Sequence, residues 1–241
     1  MNLLEWYIPL GLLVLLLWVL ARRRAYNACP WFFVYVAFAV AAGVARFAVH
    51  NHRHPYYETY WITEAGYGLL GILVMYEVLR AVLGNLTRAW WARLIFPSLL
   101  VVGVGVTLAR LDAVPPQIVG LPVYIFAGEI AVRFVEVMVF AGLVTLVPLL
   151  GLRWRQYSFG VATGFGIYAT VMLLTTTKFS DFGTRFKFLW SVSSVVAYSV
   201  AVLIWIWFFS VPQKAETPGP DLSAPSPGDL KQYRDALRRM R

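Results

Sequence analysis

Seven long apolar stretches set the limits on what this chain can fold into. They run over roughly 4–21, 30–50, 58–80, 94–110, 122–148, 157–177 and 187–210. Five of the seven are nearly free of charge. An apolar run of about 20 residues satisfies all its backbone hydrogen bonds as a helix and matches a hydrocarbon core about 30 Å thick. The expected fold is therefore all-α: a polytopic membrane protein of seven transmembrane helices. Composition agrees, since 60% of residues are hydrophobic and only 14% charged. The single cysteine, Cys29, rules out an intrachain disulfide.

The first stretch reads as an uncleaved anchor. Glu5 lies at its very start and Arg22, Arg23 and Arg24 follow it, with no small-residue cleavage site. Lys and Arg flank the stretches unevenly. The loops on one side, with the C-terminal tail, hold fourteen, and those on the other side hold five. The positive-inside rule then places the N-terminus outside and the C-terminus in the cytoplasm. The net charge of +9 thus sits in loops and tail beside the bilayer, and no nucleic-acid partner is expected. Aromatic residues mark both edges: Trp6, Tyr7, Tyr56, Tyr57, Tyr60, Trp61 and Trp190 on the outer side, Trp31, Trp90, Trp91, Trp154, Trp205 and Trp207 on the inner.

The fifth stretch breaks the apolar pattern with GEIAVRFVE, residues 128–136. On a helix, Glu129, Arg133 and Glu136 share one narrow stripe, so Arg133 reaches both acids. Arg133 lies about 16 Å into the helix, near the bilayer midplane. A charge there costs ~2.5–3.5 kcal/mol on insertion scales, so the stripe is expected to face other helices or a polar cavity. Arg46 in the second stretch and Glu64 in the third are placed to join it from the outer half. Two readings of Arg46, Glu64, Glu129, Arg133 and Glu136 stand: an ion network that holds helix register, or a ligand or ion pocket. Tyr67, Tyr124, Tyr168 and Tyr198 are candidate lining residues. Glu77, nearer the inner interface, is expected to pair with loop arginines.

Glycines recur within the stretches, and Gly160 and Gly164 form a GxxxG in the sixth, which predicts a tightly packed interior helix. His50, His52 and His54 alternate in the loop after the second stretch. Alternate histidines are weak metal candidates without a fourth ligand. No histidine sits mid-helix for haem, and no cofactor is expected.

After the bundle, residues 1–211, comes a Pro/Ser-rich flexible linker, 212–228. Residues 229–241 read DLKQYRDALRRMR. Leu230, Tyr233, Leu237 and Met240 make one apolar stripe, and Arg234 and Arg238 belong to the basic face. Three readings stand: a frayed, solvated tail, a helix lying on anionic lipid, or one docking on a cytoplasmic protein partner.

No HExxH, GxSxG, P-loop or GxGD motif is present. Arg133 between two glutamates stabilises ionised carboxylates, which is poor preparation for a general acid. Nothing positive supports an enzyme.

Seven spans with an outside N-terminus match several families. Microbial rhodopsins carry a Schiff-base lysine mid-way along span seven. Here that span reads FKFLWSVSSVVAYSVAVLIWIWFF and its Lys187 lies at the outer edge, so no retinal is expected. By topology and hydropathy over about residues 1–210, the chain resembles uncharacterised bacterial seven-helix membrane proteins. In architecture it is similar to the seven-helix sensor modules of bacterial histidine kinases. That resemblance implies a non-enzymatic sensor or scaffold in the bacterial inner membrane, signalling through a separate partner. The competing class is a small-solute or proton-coupled transporter that uses the charged cluster as its site. A cavity open alternately to both faces would favour the transporter. A cavity open only outward, with a dry inner half, would favour the sensor.

Overall fold

The computed structural model describes the backbone at residues 3–83, 90–109, 111, 120–149, 156–182 and 187–211. Within these ranges it describes the side chains except at 3–6, 83, 90–93, 176–182 and 187–191. The linker 212–228 and the amphipathic helix expected over 229–241 lie outside the described residues. So do Leu230, Tyr233, Arg234, Leu237, Arg238 and Met240.

The described chain is all-helical: α1 (Leu3–Arg22), α2 (Pro30–Val49), α3 (Arg53–Leu83), α4 (Trp90–Ala109), α5 (Leu121–Leu149), α6 (Gln156–Phe182) and α7 (Lys187–Ser210). Among the described residues five helices, α2, α3, α5, α6 and α7, are long and apolar enough to cross a membrane. α1 and α4 supply shorter apolar stretches, Tyr7–Arg22 and Leu94–Ala109. Both are 20-residue helices in backbone, about 30 Å long at 1.5 Å per residue. Each carries one internal proline, Pro9 and Pro97, which removes one ladder hydrogen bond without ending the helix. Large apolar side chains face outward all round: Ile62, Leu69, Val101, Leu108, Leu174 and Trp207 are 63–72% exposed. A belt of that kind is stable against lipid and not against water. The protein is a polytopic membrane helical bundle.

Six helices close a ring in the order α1, α2, α3, α5, α6, α7, and α3 also touches α6 across it. α4 stands outside the ring, packed on α5 and, lightly, on α3. Half of the α6 span is buried, the largest share among the five membrane-length helices, as the glycine pattern predicted. Gly160 and Gly164 are the reason. A Cβ on Gly160 would lie 2.6 Å from Cβ of Phe208, and one on Gly164 would run into the ring of Trp205. The two glycines let α6 and α7 approach until these rings lie on α6 backbone.

One half of the ring is filled by aromatic packing. Trp205, Phe32, Phe165 and Phe209 are fully buried, joined by Leu16 and Leu20 of α1. Phe32 stacks on Phe209 at 5.4 Å and meets Trp205 edge-on at 5.1 Å. Trp205 is thus a core residue and not part of an interfacial belt. Its Nε1 donates to the Val161 carbonyl at 3.4 Å, so the indole keeps a partner without reaching water.

Helix ends at this side of the bundle are tied to one another. Arg23 Nη2 donates to the Ser210 carbonyl at 2.7 Å, and Gln156 Nε2 to the Phe208 carbonyl at 3.3 Å, covering the C-terminus of α7. Among the described residues Glu77 of α3, expected to pair with loop arginines, instead caps a helix. Its two carboxylate oxygens accept the amides of Trp31 and Phe32 at 3.2 and 3.1 Å. Those are the first orphan donors of α2, whose own N-cap residue Cys29 makes no side-chain cap. A carboxylate suits the positive end of the helix dipole. Glu77→Ala is expected to cost about 1–2 kcal/mol, the usual loss for a removed cap. It should also raise hydrogen exchange at the Trp31 and Phe32 amides. Unchanged exchange there would refute the cap.

Candidate functional site

α2 and α3 are joined by a short turn, so their adjoining ends run side by side. Arg46, one turn before the end of α2, meets the first turns of α3. Its Nη2 lies 2.9 Å from Glu64 Oε1. Its Nε donates to Thr63 Oγ1 at 2.7 Å. The Thr63 hydroxyl in turn donates to the Thr59 and Tyr60 carbonyls at 2.7 and 2.9 Å, the i−4 and i−3 acceptors. The guanidinium carbon stands 4.7 Å from the ring centre of Tyr60 and 5.5 Å from that of Tyr67. Arg46 is therefore held by a carboxylate, a hydroxyl and two ring faces. The pair is half-buried, at 15% and 13% side-chain exposure.

A second unit lies deeper, on α5. Glu129, Arg133 and Glu136 form the single stripe that their spacing predicts. Arg133 Nη1 donates to both oxygens of Glu136, at 3.0 and 3.3 Å. Its Nη2 is 3.7 Å from Glu129 Oε1. Glu136 is completely buried and Arg133 is 5% exposed. Gly71 of α3 makes room for the acid, since a Cβ there would come within 2.8 Å of Glu136 Oε1. Tyr168 of α6 places its ring 4.6 Å from the Arg133 guanidinium carbon. In a low-dielectric interior each of these charges is tolerated only through its partners.

Between the two units lies a cavity of about 500 Å³. Arg46, Glu64 and Glu129 are in its wall, with Tyr60, Tyr67, Tyr168 and Tyr198. Tyr7, 53% exposed, belongs to the same wall from α1. Leu10, Leu13, Met172 and Val195 supply an apolar side. Most lining residues lie toward the end of their helix away from the aromatic core, while Leu13, Ala39 and Tyr168 sit near mid-helix, where the cavity wall adjoins that core. Tyr35, fully buried, meets Tyr67 of the cavity wall (5.8 Å) and Phe165 (5.0 Å) and Trp205 (6.3 Å) of that core. A cleft of about 410 Å³ at the other end, lined by Trp18, Val19, Arg22, Arg23 and Ser210, shares no wall residue with it.

The five charges singled out in the sequence therefore occupy one region, Arg46 with Glu64 and Arg133 with Glu136 and Glu129. Tyr67, Tyr168 and Tyr198 line the cavity. Tyr124 does not; it is 63% exposed. Thr63 carries no sequence signal, because one threonine on an apolar helix is ordinary. Tyr60 reads from sequence as an interfacial aromatic, and only the fold turns its ring toward Arg46. The histidines do not converge. His50 Nδ1 lies 2.6 Å from the Phe47 carbonyl, and His54 pairs with Glu58 at 3.5 Å. Among the described residues no group of three or more His, Cys, Asp or Glu is placed to hold a metal ion.

No protein-family model, no curated protein and no solved structure matches this chain.

Proposed function

We propose that this is a seven-pass receptor of the sensor class, which holds a small solute in a cavity reached from one face of the membrane. The observation that carries the reading is the division of the ring. One half holds a charged, tyrosine-lined cavity, and the other is filled by Phe32, Phe165, Trp205 and Phe209. A carrier must expose its site to each face in turn. Here that would require unpacking four fully buried aromatic residues.

All seven helices span the bilayer in this reading. The cavity half faces outward, because the arginine-rich ends of α1, α3 and α5 and the C-terminal tail mark the cytoplasmic side. The membrane is a bacterial inner membrane. Leu230, Tyr233, Leu237 and Met240, flanked by Arg234 and Arg238, carry the cytoplasmic contact, to lipid or to a protein partner. The ion network both shapes the site and holds helix register.

Sidedness of labelling tests the proposal. In a Cys29→Ala background, Leu10→Cys in the cavity wall is expected to react with a membrane-impermeant maleimide only from the face at which α1 begins. Ala201→Cys, in the packed half, should react from neither. Labelling of Leu10→Cys from both faces of sealed vesicles would establish the transporter instead.

A further inference from the structure

The charges around the cavity do not balance. Among the described residues the cluster holds two guanidinium groups, Arg46 and Arg133, against three carboxylates, Glu64, Glu129 and Glu136. Arg46 is matched by Glu64 at 2.9 Å. Arg133 directs its short contacts to Glu136, at 3.0 and 3.3 Å. Glu129 is left at 3.7 Å from Arg133 Nη2, well beyond the roughly 2.7–2.9 Å of a charge-assisted hydrogen bond. With all three carboxylates ionised the surplus charge is negative, and it belongs to a residue of the cavity wall whose side chain is 20% exposed. A carboxylate in such surroundings without a close partner is costly. A cationic guest removes that cost.

The aromatic surfaces point the same way. Tyr60, Tyr67 and Tyr168 already place their ring faces against guanidinium groups, at 4.7, 5.5 and 4.6 Å. Ring faces are the negative pole of the aromatic quadrupole and are the usual walls of ammonium sites. Tyr198, which meets Tyr168 edge-on at 5.4 Å, extends that wall. An anionic guest would have to take Arg46 from Glu64 and Thr63, and would add a fourth negative charge to the cluster. The cavity's volume of about 500 Å³ lies within the ordinary small-molecule range of about 300–1,000 Å³.

We propose that the cavity binds a small organic cation, a primary or quaternary ammonium on an apolar body, with Glu129 as its counter-ion. This inference rests on the reading of the cavity as a solute site. The ammonium lies between Glu129 and the ring of Tyr168. The apolar body lies along Leu10, Leu13, Met172 and Val195.

Three probes of one shape and different charge decide it: 3-phenylpropylamine, 3-phenylpropan-1-ol and 3-phenylpropionate. Each is titrated calorimetrically against the full chain in phosphatidylcholine nanodiscs, with thermal unfolding followed in parallel. The amine is expected to bind at least tenfold more tightly than the alcohol or the acid. Glu129→Gln should weaken the amine by about tenfold to a hundredfold, the worth of a hydrogen bond to a charged group, and leave the alcohol unchanged. Val195→Trp, which fills the apolar side, should remove amine binding while the helical signal and monodispersity persist. Preference for the acid, equal binding of amine and alcohol, or an unchanged amine affinity in Glu129→Gln would overturn the cation assignment. If Val195→Trp still removes the binding in those cases, the solute cavity stands and only the ligand class is wrong. If none of the three binds, the cation assignment is lost, and the face-labelling result decides separately whether the cavity serves a solute.

Discussion

Arg133→Leu is expected to destabilise the bundle by about 3–5 kcal/mol, the cost of breaking a buried ion pair by removing one partner. The substitution strands Glu136, which is completely buried between α5 and Gly71 of α3, and leaves Glu129 without its guanidinium. No solvent reaches Glu136 to take over. The triple replacement of Glu129, Arg133 and Glu136 by leucine removes both signs of charge together, and buried pairs exchanged for apolar side chains often lose little or gain stability. It should therefore be markedly more stable than Arg133→Leu alone. Unfolding midpoints in detergent compare the two. A triple variant as unstable as the single one would show that the stripe contributes shape rather than charge pairing. A triple variant that folds but no longer binds the amine probe would show that the network also serves the site.

Trp205→Ala carries an expected cost of similar size, about 3–5 kcal/mol, because it removes the largest fully buried side chain among the described residues and opens a void at the centre of the aromatic core. Trp205 contacts Phe32, Phe165 and Tyr35 and rests on α6 at Gly164. Gly164→Val is expected to cost about 1–3 kcal/mol for the opposite reason, since its side chain would enter the space of the indole, whose Cε2 lies 2.7 Å from the position of a Cβ there. The two effects share one volume. In the double variant the valine occupies part of the void, so the combined loss should fall short of the sum of the two. Strict additivity in unfolding midpoints would refute the contact between Gly164 and Trp205 as the determinant of the α6–α7 approach. The result bears on function as well, because this packing closes the half of the ring opposite the cavity. Trp205→Ala should make Ala201→Cys accessible to maleimide if that core is the barrier.

The local features of this protein were legible in its sequence, and the physical reason is that they depend on neighbours along one helix. Apolar runs of membrane length specify helices, since a backbone in lipid has few other ways to satisfy its hydrogen bonds. The spacing of Glu129, Arg133 and Glu136 specifies one stripe, because residues three and four apart share a helix face. The glycines of α6 foretell a tight contact somewhere along it.

Which helices meet, and with which faces, was decided only in the tertiary structure. In a soluble helix the buried face is the apolar one, and periodicity reveals it. In a membrane helix the lipid face is as apolar as the core, so Val101, 72% exposed, and Val74, fully buried, look alike in sequence. Nothing local places α4 outside the ring, turns Glu77 to the end of α2, or sets Tyr60 and Tyr67 against Arg46. Trp205 reads as an interfacial residue for the same reason: an indole suits both a headgroup boundary and an aromatic core with one carbonyl in reach. The cavity is the feature furthest from the sequence. It exists because aromatic side chains from α2, α6 and α7 fill one half of the ring, while tyrosines and paired charges line the other half without filling it.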